Sequence, residues 1–154
     1  MLGIRFIKTQ PTTHLMQFRR GRLVREGAGL SLLYYAPTST VVAVPVASQD
    51  AGFMLELVTR DFQAVTVQGQ VSWRVSDPRK TAALMDFSLQ ADGAHASEDP
   101  QRLRERVVMQ ATVIIQQAIQ ALDLRDALQA SAEVARAAQA QLAGQTEMQA
   151  LGLE

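Results

Sequence analysis

Between Thr59 and Pro78 the chain reads TRDFQAVTVQGQVSWRVSDP, and its large apolar residues keep one parity. Val65, Val67, Val71, Trp73 and Val75 share one side of an extended backbone, and Ala64, Thr66, Gln68, Gln70, Ser72 and Arg74 share the other. Side chains alternate across a strand, so the stretch predicts a β-strand with one apolar and one polar face. Gly69 interrupts the apolar parity and predicts a bulge or bend. From Ala64 to Val75 such a strand runs about 40 Å at roughly 3.3 Å per residue, too long to stay flat. Asp77 and Pro78 end it, the carboxylate as a helix cap and the proline at the first helical position. The constraint on the fold is therefore a curved strand that passes directly into a helix.

The residues before it read as further strands. Residues 1–12 form a mobile lead-in, and His14–Arg19 alternates weakly. Arg20-Gly21-Arg22 makes a turn, and Gly27 and Gly29 bracket another. Leu30–Ala36 and Val41–Val46 flank Pro37 and Ser39 and predict a hairpin. Pro45 cannot donate to a ladder, which puts its strand at an edge or a bulge. Phe53, Leu55 and Leu57 share a parity and predict a partner strand across the Arg60-Asp61 corner. After Pro78 the spacing turns helical, with Ala82, Ala83, Leu84 and Phe87 as a short stripe. Residues 88–98 are a small, polar loop. A longer helix starts at Pro100 with a stripe of Leu103, Val107, Ala111, Ile114, Ala118 and Leu122. Ser131 opens an alanine-rich helix that stops at Gly152. The expectation is an α+β fold: a curved, mainly antiparallel sheet of about five strands over residues 13–76, then helices over 78–87, 100–120 and 131–151 packed on one side.

Composition narrows the function classes. A chain of 154 residues suits one domain, here 13–154. Lys+Arg and Asp+Glu are both 15, so no global field favours nucleic acid or an acidic substrate. There is no cysteine, hence no disulfide framework, thiol nucleophile or cysteine zinc site. No window reaches the roughly 20 apolar residues of a membrane-spanning helix.

No catalytic constellation, metal site or cofactor site can be named, and the chain is read as not an enzyme. His14 and His95 lie in different kinds of segment and are read as surface residues. Asp92, Glu98 and Asp99 lack the spacing of a calcium loop, and Gly27-Ala28-Gly29 is followed by no lysine–serine pair. Two features remain as membrane-contact candidates. The apolar run Leu30, Leu32, Leu33, Tyr34 and Tyr35 is either a hairpin that dips into a bilayer interface or a strand buried on both faces. Arg19, Arg20, Arg22 and Arg25 are either a site for anionic lipid or a solvated turn.

The stretch TRDFQAVTVQGQVSWRVSDPRK resembles the signature of the stomatin–prohibitin–flotillin superfamily, the SPFH or band-7 domain. There a T-x-D-x-x-x-V-T-V strand leads through an aromatic and R-V-x-D-P into a helix. GLSLLYYAP (Gly29–Pro37) and LDLRDAL (Leu122–Leu128) are similar to two further family segments. The resemblance makes Thr59, Asp61, Val65, Val67, Trp73, Arg74, Asp77 and Pro78 signature residues of structure. It implies a non-enzymatic, membrane-associated scaffold that oligomerises side by side into a ring through the full-length protein. Its partners would be a lipid surface and membrane proteins such as proteases, with no nucleic acid, and its place the cytoplasmic side of a membrane, held peripherally. It also implies one more strand and a coiled coil after A-L-G-L, so the chain is read as a piece cut before them, a natural short form being the other reading. The second functional reading is a soluble protein-binding module that presents a sheet edge near Val41–Val46.

Overall fold

The computed structural model describes residues 3–154. In chain order it comprises β1 (Ile4–Lys8), β2 (Thr13–Arg19), β3 (Arg22–Ala28), β4 (Ser31–Tyr35), β5 (Ser39–Pro45), β6 (Gln49–Val58) and β7 (Ala64–Trp73). The helices are α1 (Pro78–Leu84), α2 (Asp99–Gln120), α3 (Leu124–Ala127), α4 (Ser131–Ala143) and α5 (Thr146–Ala150). The fold class is α+β, as the alternation and the helical spacing predict. Two units divide it: one takes the residues up to Ser48, Arg74–Arg102 and Ala150–Leu153, the other Gln49–Trp73, Leu103–Gln149 and Glu154.

In the first unit β3, β2 and β5 form an antiparallel sheet in that order, and β1 pairs with β4 as a separate ribbon. The expected pairing of Leu30–Ala36 with Val41–Val46 does not form. A tight turn joins these strands, yet β4 pairs with β1 and β5 pairs with β2. The reason lies in the lead-in, where residues 4–8 are a strand that takes the edge of β4. Ile7 and Tyr34 of the ribbon pack on Leu15, Leu32, Val41 and Ala43, so the ribbon's inner side covers one face of the three-stranded sheet. Arg20 and Gly21 turn β2 into β3 with φ of 52° and 79°. Positive φ at both central residues is what a two-residue hairpin turn requires. Val24 is an extra residue on β3, because Gln17 faces Arg25 while Phe18 faces Leu23.

Pro78 opens α1 as expected, but the Asp77 carboxylate makes no cap hydrogen bond. The stripe on α1 also differs, since Leu84 is exposed and Thr81 and Met85 are buried. Burial of Thr81 is tolerated because its hydroxyl donates to the Leu151 carbonyl at 2.6 Å. The Gly152 carbonyl accepts from the backbone N–H of both Ser76 and Asp77, at 2.8 and 3.0 Å. Beyond it Leu153 bridges Val75 in the antiparallel sense.

The second unit is built on the β6–β7 hairpin, whose ten pairs run from Gln49↔Trp73 to Val58↔Ala64 without a register shift. Gly69 is therefore not a bulge. It faces Phe53, and a Cβ there would lie 2.6 Å from the Phe53 ring, so the missing side chain makes room for an aromatic across the ladder. Phe53, Leu55, Val65 and Val67 point from the apolar face onto Leu57, Ile115 and Ile119, joined by Val134 and Ala138 of α4. The helix expected over 131–151 is broken at Gly144, a poor helix former, and resumes as α5. Arg106 and Gln110 of α2 reach Glu147 of α5.

Gly152 has φ of +72°, and a Cβ on it would sit 2.3 Å from the Asp77 carbonyl oxygen. Gly93 has a similar φ, +83°, with nothing within 4 Å. The Gly93→Ala change is expected to cost about 1 kcal/mol for the left-handed backbone, and Gly152→Ala more than about 2 kcal/mol. Urea denaturation of the two variants beside wild type reads the difference.

Candidate functional site

Residues opposed across a ladder share a face. In the ribbon, Ile4 faces Tyr35, Phe6 faces Leu33 and Lys8 faces Ser31. That face is turned to solvent: Ile4 is 56% exposed, Phe6 65%, Leu33 66% and Tyr35 47%. The apolar run from Leu30 to Tyr35 thus divides by parity. Leu32 is buried and Leu30 and Tyr34 pack against the core cluster, while Leu33 and Tyr35 face outward. The run is therefore buried on one face, not on both. Ile4 and Phe6 complete the patch and were hidden in the lead-in, where Ile7 directly after Phe6 masks the alternation of Ile4, Phe6 and Lys8.

All four arginines, Arg19, Arg20, Arg22 and Arg25, are exposed. Arg19 pairs with Arg22, and Gln17 with Arg25. Since Gln17 and Arg19 also pair with Val41 and Ser39, these three arginines stand on the sheet face that carries the ribbon. The backbone ties the two features together. Arg20 N–H donates to the Thr38 carbonyl, and Ala36 N–H to that of Gly3, so one turn borders both the arginines and the Ile4–Tyr35 end of the ribbon.

The signature residues are distributed differently. Thr59 is buried, donates to Asp61 at 2.5 Å and accepts from Gln63 N–H at 3.1 Å. Asp61 also accepts from Leu124 N–H at 3.0 Å. Arg60, which the sequence did not single out, forks onto Asp123 at 3.0 and 2.8 Å. That hydrogen bond holds the Arg60 pKa above its ordinary value and the Asp123 pKa below. The T-R-D segment therefore clamps the β6–β7 turn to the loop after α2. Val65 and Val67 line the inner face, Trp73 is buried with its indole N–H unpaired among the described residues, and Arg74 is exposed.

The histidines have structural partners. His95 Nε2 donates to the Ala43 carbonyl at 2.8 Å and its ring meets Phe87 edge-on at 5.7 Å, which fastens the loop over residues 88–98 to β5. His14 Nε2 lies 3.2 Å from Glu26, which also takes a bidentate fork from Arg79. No group of three or more His, Asp or Glu side chains among the described residues is placed to hold a metal ion.

The model of the SPFH domain / Band 7 family matches residues 7–154. The chain belongs to the SPFH domain / Band 7 family. This is a family of membrane-associated scaffolds. A search of curated proteins returns no match. Among the described residues of this SPFH domain, no helix is long and apolar enough to cross a membrane.

Two outcomes follow from the geometry. The Arg79 and His14 contacts hold the Glu26 pKa down from 4.5 to about 2. A carboxylate depressed by folding stabilises above its unfolded pKa, and that contribution fades as pH falls toward the folded one. Glu26→Gln should therefore flatten the acid limb of stability between about pH 4.5 and 2, measured by thermal melts across pH. Phe62 has φ of +62° and is 88% exposed. Phe62→Gly is expected to stabilise the domain by about 1 kcal/mol by relieving the left-handed strain, read by urea denaturation.

Proposed function

We propose that this SPFH domain is a non-enzymatic scaffold that rests the outer face of the β1–β4 ribbon on an anionic membrane surface. The reading is carried by four large apolar side chains on one exposed face, Ile4, Phe6, Leu33 and Tyr35, with the arginine turn at its end. Contiguous apolar surface rimmed by cations suits a bilayer interface, where side chains leave water and arginines meet lipid phosphate. Tyr35 brings an amphipathic ring of the kind that settles at headgroup depth. Each arginine near such a surface contributes on the order of 1 kcal/mol, and salt screens it. Self-association into a ring through the full-length protein, on the cytoplasmic side of a membrane, would hold lipids or membrane proteins such as proteases beside one another.

The other reading, a protein-binding module that presents a sheet edge, loses the edge on which it rested. The edge near Val41–Val46 is covered: Ala43 N–H donates to the Phe87 carbonyl, Leu89 N–H donates to that of Val41, and Val42 bridges Ser88.

Flotation with phosphatidylcholine–phosphatidylserine vesicles tests the membrane reading. Wild type is expected to float and to be released by about 0.5 M salt. The Phe6→Ser/Leu33→Ser pair should abolish flotation. Replacing Arg19, Arg20, Arg22 and Arg25 by serine should weaken binding by up to about 4 kcal/mol, roughly a thousandfold. Failure of the folded wild type to float, or unchanged flotation of both variants, removes the reading.

A further inference from the structure

A balanced total charge hides a local imbalance. Up to Gln49 the chain carries Arg5, Lys8, Arg19, Arg20, Arg22 and Arg25 against a single carboxylate, Glu26. Glu26 lies opposite Met16, on the sheet face away from Arg19, Arg22 and Arg25, and Arg79 and His14 hold it there. None of the four guanidinium groups at the β2–β3 turn has a side-chain hydrogen bond or ion pair among the described residues.

The turn holds two features that folding alone disfavours. Arg19 and Arg22 are paired directly across the ladder, an arrangement in which Cβ atoms stand about 5 Å apart and like charges repel. Arg20 takes a left-handed φ of 52°, at a turn position that favours glycine, asparagine or aspartate. Burial offsets neither cost, since all three residues are exposed. Strain kept at an exposed, charged turn points to a ligand.

An anion between the opposed guanidinium groups removes the repulsion, and the donors specify its chemistry. Each guanidinium is a planar fork that suits two oxygens at once, and the pair carries two positive charges. A phosphodiester presents two unesterified oxygens and one negative charge. A phosphomonoester presents three, with a charge of about −1.5 to −2 at pH 7, which meets both forks. Ser39 extends the same rung, paired with Arg19 from the other side. Its Oγ accepts from Gln17 Nε2 at 3.5 Å, which leaves the hydroxyl proton to donate. The source of the phosphate is a lipid, because the turn borders the Ile4–Tyr35 end of the ribbon, whose exposed apolar side chains would meet the acyl region.

We propose that Arg19 and Arg22, with Ser39 beside them, form a headgroup site that selects a lipid phosphomonoester, such as phosphatidic acid, over phosphodiester lipids. This site rests on the membrane reading above and adds a lipid preference that surface charge alone does not give.

The test compares flotation with phosphatidylcholine vesicles carrying either phosphatidic acid or phosphatidylserine, matched in surface charge by electrophoretic mobility. Wild type is expected to bind the phosphatidic acid vesicles about tenfold or more tightly. Arg19→Lys/Arg22→Lys keeps both charges and loses both forks, so this variant, shown folded by its thermal melt, should bring the ratio to about one. Equal binding of wild type to the charge-matched vesicles overturns the site and leaves the membrane reading standing, whereas binding to neither removes both. A ratio unchanged in the lysine variant overturns the site as well. Calorimetric titration with glycerol 3-phosphate, without vesicles, separates the two sources of the ester. Little binding below about 10 mM is expected. Submillimolar binding there would make the turn a site for a free phosphate ester and overturn the lipid assignment.

Discussion

The turn from Thr59 to Gln63 is the constraint on which the β6–β7 unit depends. A two-stranded hairpin has no neighbouring strand to fix its register, and a slip of one residue would carry Phe53, Leu55 and Leu57 to solvent. The turn prevents this by using each polar group more than once. The Thr59 hydroxyl both donates and accepts, Asp61 serves Thr59 and the Leu124 amide, and Arg60 crosses to Asp123. With the register held, Phe53 falls opposite Gly69, the one position of β7 where a ring can lie over the ladder. The pairing that buries the hairpin's apolar face thus begins at three residues in one corner.

The first unit solves a different problem. Its three-stranded sheet has two faces to cover, and the ribbon of β1 and β4 takes one of them with Ile7, Leu32 and Tyr34. In the same unit, Gly152 brings its carbonyl onto two consecutive amides just before α1, which a residue with a Cβ could not approach. Thr81 is buried beside that contact because the Leu151 carbonyl is there to accept from it.

What the residues disclosed in advance follows from periodicity. Ten-residue alternation in β7 and the four- and three-residue steps of α2 repeat often enough to fix strand and helix, although in the last turns of α2 Ile115 and Ile119 are buried in place of the expected Ala118 and Leu122, which are half-buried. Short elements gave way to tertiary context. Five residues of β1 show little alternation, and β4 found a partner far from its sequence neighbour. Gly69 looked like a bend because a missing side chain marks both a kink and a close approach, and the cross-strand residue decides between them. The arginines and the Leu33–Tyr35 side of the apolar run were legible as a surface. Ile4 and Phe6 were not, since only pairing with β4 places them on it.

Among the described residues, the ribbon that carries this surface has protein on one side alone. Two strands in water hold together marginally, and each hydrophobic face left wet weakens them. On the scaffold reading, a lipid leaflet supplies the second layer, so docking and the ordering of the first strand become a single equilibrium. The domain's grip on a bilayer is then also a grip on its own amino-terminal segment, and loosening either releases both.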